Sequence, residues 1–368
     1  MIVRDKDVFL ELVPPPRFLQ MPAVGLDITD RRARFIEFKK GSGGLVIKRR
    51  GEIKIPPGVV VSGKLKRPEE LKKVFSDFAR ENDFSFARVS LPEERAYIVK
   101  MNVPDVSYEE MRNAIAFQLD EYVPVSAKEA VFDYQIIGPS AEKKGSLEVS
   151  VSVLPHKEID AYLHMLSGTG IMPVAFEIEA QAIARAVIPK EKSGTYAIAD
   201  IGGSRTGLFV ISGKAARFTS TIDAGSNMVT EALEKQFGVG RAEAEKMKNE
   251  RPLVRGSDDF SAAVLPSLSI LRDEINKLFV YWHTHRQEGK NLRIEKVYLS
   301  GGGANLKGLD EYLSASLRVP VEVSNPWVNV NDFDRYIPDI PHRLSLGYAA
   351  AIGLALAPWI SCKEGYCI

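Results

Sequence analysis

The chain has 368 residues, enough for two or three domains, and its 45% hydrophobic and 26% charged content excludes wholesale disorder. Forty-nine Lys and Arg against forty-eight Asp and Glu leave a formal charge of +1, without the basic excess of a dedicated nucleic-acid binder. The only two cysteines, Cys362 and Cys367, stand in the last seven residues and exclude a disulfide scaffold or an all-cysteine zinc site.

Met1 to Pro22 mixes charges with Val8, Phe9 and Leu10 and never builds an apolar run of signal-peptide length. The most apolar stretch, Leu346 to Ala357, falls short of the roughly 20 residues of a membrane span. A cytoplasmic protein with a loose leader over 1–22 is expected. Ala23 to Ile28 reads as a buried strand and Phe35 to Phe38 as a second, with Thr29 to Arg34 as the turn between them. Leu45 to Ile55 continues the β pattern. Pro68 opens a helix with Leu71, Val74, Phe75 and Phe78 on one face. Ala87 to Leu91 and Ala96 to Val103 read as strands.

Tyr108 to Tyr122 reads as a helix stopped by Pro124, with Met111, Ala114, Ile115, Gln118, Leu119 and Tyr122 on one side. Val131 to Ile137 and Leu147 to Leu154 read as strands, and a helix runs from His156 to Gly168. Val174 to Ile178 is a strand feeding a helix through Val187. Strands Tyr196 to Asp200 and Gly207 to Ile211 flank a Gly-rich turn, and helices cover Ser226 to Phe237 and Arg241 to Lys248. Val264, Leu268, Leu271, Ile275, Leu278 and Trp282 step by four and three along one amphipathic helix. Lys296 to Ser300 is a strand entering Gly301-Gly302-Gly303, and helices at 309–318 and near 346–357 close the pattern.

Two stretches are alike. Asp27-Ile28-Thr29-Asp30-Arg31-Arg32 leads into Phe35-Ile36-Glu37-Phe38, and Asp200-Ile201-Gly202-Gly203-Ser204-Arg205 leads into Leu208-Phe209-Val210-Ile211. Each is strand, Asp, tight turn, strand, which suggests two duplicated halves with facing hairpins. Such turns can aim backbone N–H groups at phosphate, and an Asp at a strand end can hold Mg²⁺ through water. Each pair alone also reads as an ordinary turn before a strand. A third element, Val297 to Leu306, ends a strand in three glycines before a helix and so lets backbone approach a base or phosphate.

With these three loops, over about residues 23–357, the chain resembles the actin-like ATPase superfamily. Within it the likeness is to the type IV pilus assembly protein PilM family, related to the cell-division protein FtsA. The segment Met111 to Pro124, followed by Asp133-Tyr134, carries the most PilM-like pattern. The resemblance implies a two-lobed α/β fold of the duplicated, ribonuclease H-like kind. Residues 23–98 with 169–193 would form the first lobe, 99–168 an inserted subdomain, and 194–368 the second lobe with a helical part at 231–290.

It also implies ATP with Mg²⁺ in the cleft. Asp27, Thr29 and Arg34 would belong to the first phosphate loop, and Asp200, Gly202, Gly203, Ser204 and Thr206 to the second. Gly301, Gly302 and Gly303 would form the adenosine loop, Glu245 and Lys248 would flank ribose and base, and Asp27 and Asp200 would hold Mg²⁺ through water. The implied partner is the N-terminal peptide of a PilN-like inner-membrane protein, which would bring the chain to the cytoplasmic face of that membrane. Self-association also belongs to the family picture.

The first loop departs from the family pattern. Thr29 replaces a Gly, Asp30 and Arg32 replace small hydroxyl residues, and Arg34 stands where Lys is expected. Asp30 would bring negative charge towards a phosphate, so slow ATP hydrolysis is expected. Glu177 and Glu179 flank the strand-to-helix junction where one acid could polarise an attacking water, or merely favour a helix start. Phe117 falls off the apolar face of its helix, and with Tyr122, Val123 and Pro124 it could anchor a partner peptide or pack against a neighbouring lobe. His283 and His285, two apart on a helix, point away from each other. A sugar kinase would need an Asn-Asp pair where this chain has Ile178-Glu179, and a filament-forming FtsA-like protein would need an amphipathic C-terminal helix that the sequence lacks.

Overall fold

The computed structural model describes residues 23–41, 43–254, 258–285 and 292–359. The leader over 1–22 and both cysteines lie outside the described residues. Two five-stranded sheets organise the molecule, and they share one topology. The first runs in the spatial order Gly44–Lys54, Arg32–Gly41, Val24–Ile28, Phe86–Leu91, Met172–Ile178. The second runs Ala215–Ile222, Thr206–Ser212, Thr195–Ile201, Lys296–Ser300, Val321–Val323. In both, the first two pairings are antiparallel and the last two parallel. The register repeats too. Asp27 sits opposite Arg34 and Asp200 opposite Gly207, each seven residues on.

The first turn is shorter than its expected span of Thr29 to Arg34. Arg32 to Arg34 already pair with Lys54 to Glu52. Alternation explains it, because Ala33 and Phe35 are buried while Arg32 and Arg34 point outward. The strands Ala215–Ile222 and Val321–Val323 were not foreseen. Both are sheet edges, the first half-exposed and rich in Thr and Ser, the second only three residues long, so neither shows a buried apolar period. The helix Asp259–His285 buries the whole expected stripe from Val264 to Trp282.

Two short helices join the lobes. Glu179–Val187 follows the last strand of the first sheet and packs against the second; Ala349–Leu356 lies on the first sheet; the two cross each other. The crossing is close enough that a Cβ on Gly353 would overlap the Ala182 carbonyl, and a Cβ on Gly25 would overlap the backbone at Ala351. Glycine is required at both positions because the backbones leave no room for a side chain.

Within the 99–168 segment, Tyr97–Pro104, Ser146–Pro155 and Ala130–Pro139 form a three-stranded sheet with Ala130–Pro139 at an edge. Helix Tyr108–Gln118 covers it, started by a Ser107–Glu110 capping box. Met111, Ile115, Leu119, Met101, Val103, Val149, Val151 and Val153 make a core separate from those of the lobes. The helix ends at Gln118 and tightens into a 3₁₀ turn over Leu119–Glu121 instead of reaching Tyr122. The following helix, His156–Leu166, leaves this unit and buries Tyr162, Met165 and Leu166 in the first-lobe core. The inserted sheet also touches the second lobe. Ser150 Oγ donates to the Ala216 carbonyl at 2.6 Å, and Glu148 pairs with Arg217, both side chains being buried. Among the described residues no helix is long and apolar enough to cross a membrane.

Candidate functional site

The parallel strands of both sheets end at the cleft between the lobes, the usual ligand position in open α/β sheets. Asp27 and Asp200 each stand one residue before the end of their matching strands. Glu179 opens the helix after Met172–Ile178, and Glu93 lies in the turn after Phe86–Leu91. These four carboxyls feel one another. Burial, then the charges of Glu93 and Asp27, push Asp200 up to about 7. Burial, then Glu93 and Asp27, hold Glu179 well above the usual carboxylate range, and Glu179 is hydrogen-bonded to Glu93. Burial also raises Asp27, although Ser90 Oγ donates to its Oδ1 at 2.8 Å.

Glu93 escaped the sequence reading. It is 6% exposed, and its Oε1 accepts from Thr221 Oγ1 at 3.1 Å across the lobes. The available signal was its position just beyond the strand beside Asp27, at the carboxyl end of a parallel pair. Glu177 stands apart from the four. It pairs with Arg185, whose Nη1 also donates to the Gly353 carbonyl at 2.9 Å.

The two turns close identically. Thr29 N donates to the Arg32 carbonyl at 2.9 Å and Gly202 N to the Arg205 carbonyl at 2.8 Å. Thr29 Oγ1 is spent on the Arg32 carbonyl at 2.9 Å, and Thr206 Oγ1 on the Ala224 carbonyl at 2.6 Å. Arg34 donates to Glu52 at 2.6 Å and to the Gly347 carbonyl at 2.7 Å, so its guanidinium is engaged beside the cleft. Asp30, whose charge the sequence directs towards a phosphate, is compensated within the protein. It accepts from Arg205 at 3.0 Å and from the backbone of Ser62 and Gly63.

The second loop is braced by the next helix: Ser226 N and Asn227 N donate to the Gly202 and Gly203 carbonyls at 2.9 and 2.8 Å. Ser204 is exposed at its tip. Gly301 and Gly303 press on Ile201, while a Cβ on Gly302 would meet nothing within 4 Å. That opening suits a flat base. Glu245 and Lys248 hold each other and Thr230, with Lys248 Nζ 2.8 Å from Thr230 Oγ1. Among the described residues no three His, Cys, Asp or Glu side chains could hold a metal by themselves. The acid cluster suits a divalent cation whose remaining ligands are phosphate and water.

A second concavity, of about 980 Å³, lies where the inserted sheet meets both lobes. Residues Val131 to Ile136 of the inserted edge strand line one wall, and Ala175 to Ile178 of the first sheet's edge strand line another. Gln181, Arg185 and Lys214 complete it. Phe117 is 89% exposed, off its helix's apolar face as its spacing predicted, but it is not among the lining residues. Tyr122 and Pro124 are exposed, whereas Val123 is buried in the inserted core and has no surface to offer a peptide.

The family description "Type IV pilus assembly protein PilM" matches residues 25–358. A chain of the PilM–PilN type IV pilus biogenesis complex is 24% identical, with 91% of this chain and 98% of that one covered and a TM-score of 0.73. The ethanolamine utilization protein EutJ of Carboxydothermus hydrogenoformans is 16% identical, with 94% and 90% covered and a TM-score of 0.52. An MreB of Spiroplasma citri bound to ADP is 14% identical, with 90% and 94% covered and a TM-score of 0.53. From the first hairpin to the last buried helix, on a duplicated two-lobed actin-like fold, the chain belongs to the type IV pilus assembly protein PilM family.

Proposed function

We propose that the chain binds Mg-ATP between its lobes and carries the N-terminal segment of a PilN-like membrane protein at the cytoplasmic face of the inner membrane. One observation carries the cleft: two aspartates in equivalent registers, Asp27 and Asp200, converge with Glu93 and Glu179. Asp27 and Asp200 would hold Mg²⁺ through water, and the ion would supply charge to neutralise the phosphates. Gly301 to Gly303 admit the base, with Glu245 and Lys248 behind it. Gly202 to Ser204 present backbone to the phosphates. Asp200→Ala weakens Mg-ATP binding by about tenfold or more, ~1.4 kcal/mol. A calorimetric titration with unchanged affinity removes Asp200 from the site.

Glu179 is the better placed acid for polarising water, but burial and the neighbouring charges of Glu93 and Asp27 raise it and disfavour the ionised form that accepts a proton. Turnover therefore stays below about 1 s⁻¹, under the usual enzyme range, and nucleotide acts by shifting lobe geometry. A phosphate-release assay showing several turnovers per second contradicts this.

For the partner, two edge strands facing one groove are built to accept an extended segment by strand addition. Ala175→Trp fills the groove and abolishes binding of the partner's N-terminal peptide without affecting Mg-ATP. The exposure of Phe117 favours a second reading, in which Phe117, Tyr122 and Pro124 form the anchor. Phe117→Ala then weakens the peptide by about 1–3 kcal/mol. Fluorescence anisotropy on the two variants separates the readings.

A further inference from the structure

Arg205 closes the second turn through its carbonyl while its side chain crosses to the first lobe. Nη2 donates to Asp30 Oδ1 at 3.0 Å, and Nη1 contacts Glu94. The tips of the two turns are thus joined by one guanidinium held between two carboxylates. Asp30 does not depend on the arginine for its position, because Ser62 N and Gly63 N each donate to it at 3.0 Å. The carboxylate is fixed and the long side chain is the mobile member. The three side chains are 16–20% exposed, so water screens the contact and exchange is feasible.

We infer that Arg205 distinguishes a nucleoside triphosphate from a diphosphate, leaving Asp30 and Glu94 to take the third phosphate. The inference rests on the nucleotide reading of the cleft. With a base at Gly302, the phosphates would run along Gly202 and Gly203 towards the first turn, and the terminal one would be the group to meet the gap between the tips that Arg205 spans. A guanidinium binds phosphate oxygens in the same forked way it binds carboxylate, and a terminal phosphate offers more charge than either acid. Of the other arginines near the tips, Arg31 and Arg241 point to Asn227 Oδ1, at 3.5 and 2.9 Å, and Arg95 donates to the Ser62 carbonyl at 3.0 Å. Arg205 is the one poised between carboxylates. Asp30, a charge misplaced for a phosphate loop by sequence, is thereby the parking position of the sensor.

The test is calorimetric titration of the full chain with Mg-ATP and Mg-ADP, using wild type, Asp30→Asn, Arg205→Met and the double variant. Asp30→Asn frees the arginine and tightens ATP at least threefold, with ADP within twofold. Arg205→Met weakens ATP at least fivefold and leaves ADP within twofold. In the Arg205→Met background Asp30→Asn no longer tightens ATP. Equal effects on both nucleotides, an unchanged ATP-to-ADP ratio, or an Asp30→Asn gain that persists without Arg205 overturns the inference alone. Wild type that binds neither nucleotide overturns the cleft reading and the inference with it.

Discussion

After Asp200 the chain turns through Gly202-Gly203-Ser204-Arg205, and after Asp27 through Thr29-Asp30-Arg31-Arg32. The closing hydrogen bonds differ by 0.1 Å, and the registers match. Yet the second turn is small and neutral up to Arg205, which reaches across to Asp30 and Glu94, while the first is charged, with Asp30 held by Ser62 N and Gly63 N as well as by that arginine. The backbone of a duplicated hairpin is set by sheet pairing, which any alternating sequence supports. The tip side chains are free of that constraint and can diverge in chemistry without altering the turn.

The comparison can be broken most severely at the glycine loop the second lobe adds. Gly302→Val places a branched side chain where the base would lie and weakens ATP about 100-fold, ~2.7 kcal/mol. Since nothing packs there, the nucleotide-free melting temperature stays unchanged, and a fluorescent ATP analogue with a melting curve checks both. Gly203→Asp gives the second tip an acid like Asp30 of the first, with the Arg31 guanidinium, 3.8 Å from the new Cβ, as its nearest counter-charge. A Cβ there meets only ordinary contacts at 3.6 Å, so folding persists while ATP weakens about tenfold, ~1.4 kcal/mol.

The smallest effect sharpens the contrast behind the tips. In the first hairpin Arg34 and Arg32 both pair with Glu52, whereas Gly207 occupies the position equivalent to Arg34. Burial opposes ionisation of Glu52, but the two arginines outweigh it and hold its carboxyl below 4.5. A depressed carboxyl contributes stability above its unfolded value and loses it as pH falls through the folded one. Glu52→Gln therefore costs about 0.5–1 kcal/mol at pH 7, and in urea melts the difference shrinks as pH falls below 4.5 and through the depressed folded value.

Elements with an apolar period were legible without coordinates: the Val264 to Trp282 stripe, the strands flanking the two hairpin turns and the off-face position of Phe117 all follow from spacing. So was the pairing of Asp27 with Asp200, because a repeat carries its geometry twice. Glu93 was not legible, since its role comes from a neighbouring strand rather than a motif. The partner of Asp30 was not legible for a related reason. The compensating charge is 175 residues away, at Arg205, and local sequence shows only the uncompensated half. Val123 follows the same rule, apolar and beside Pro124 yet turned inward after the helix tightens.

The buried pair Glu148–Arg217 means that covalent order and mechanical order differ in this molecule. The insertion leaves and rejoins the chain of the first lobe, but its ionic fastening is to the second. Breaking one partner of a buried pair costs about 3–5 kcal/mol, more than an exposed contact between lobes can resist. Parting the insertion from the second lobe would therefore leave a buried charge without its counter-charge, so this contact holds more firmly than surfaces joined only by exposed pairs.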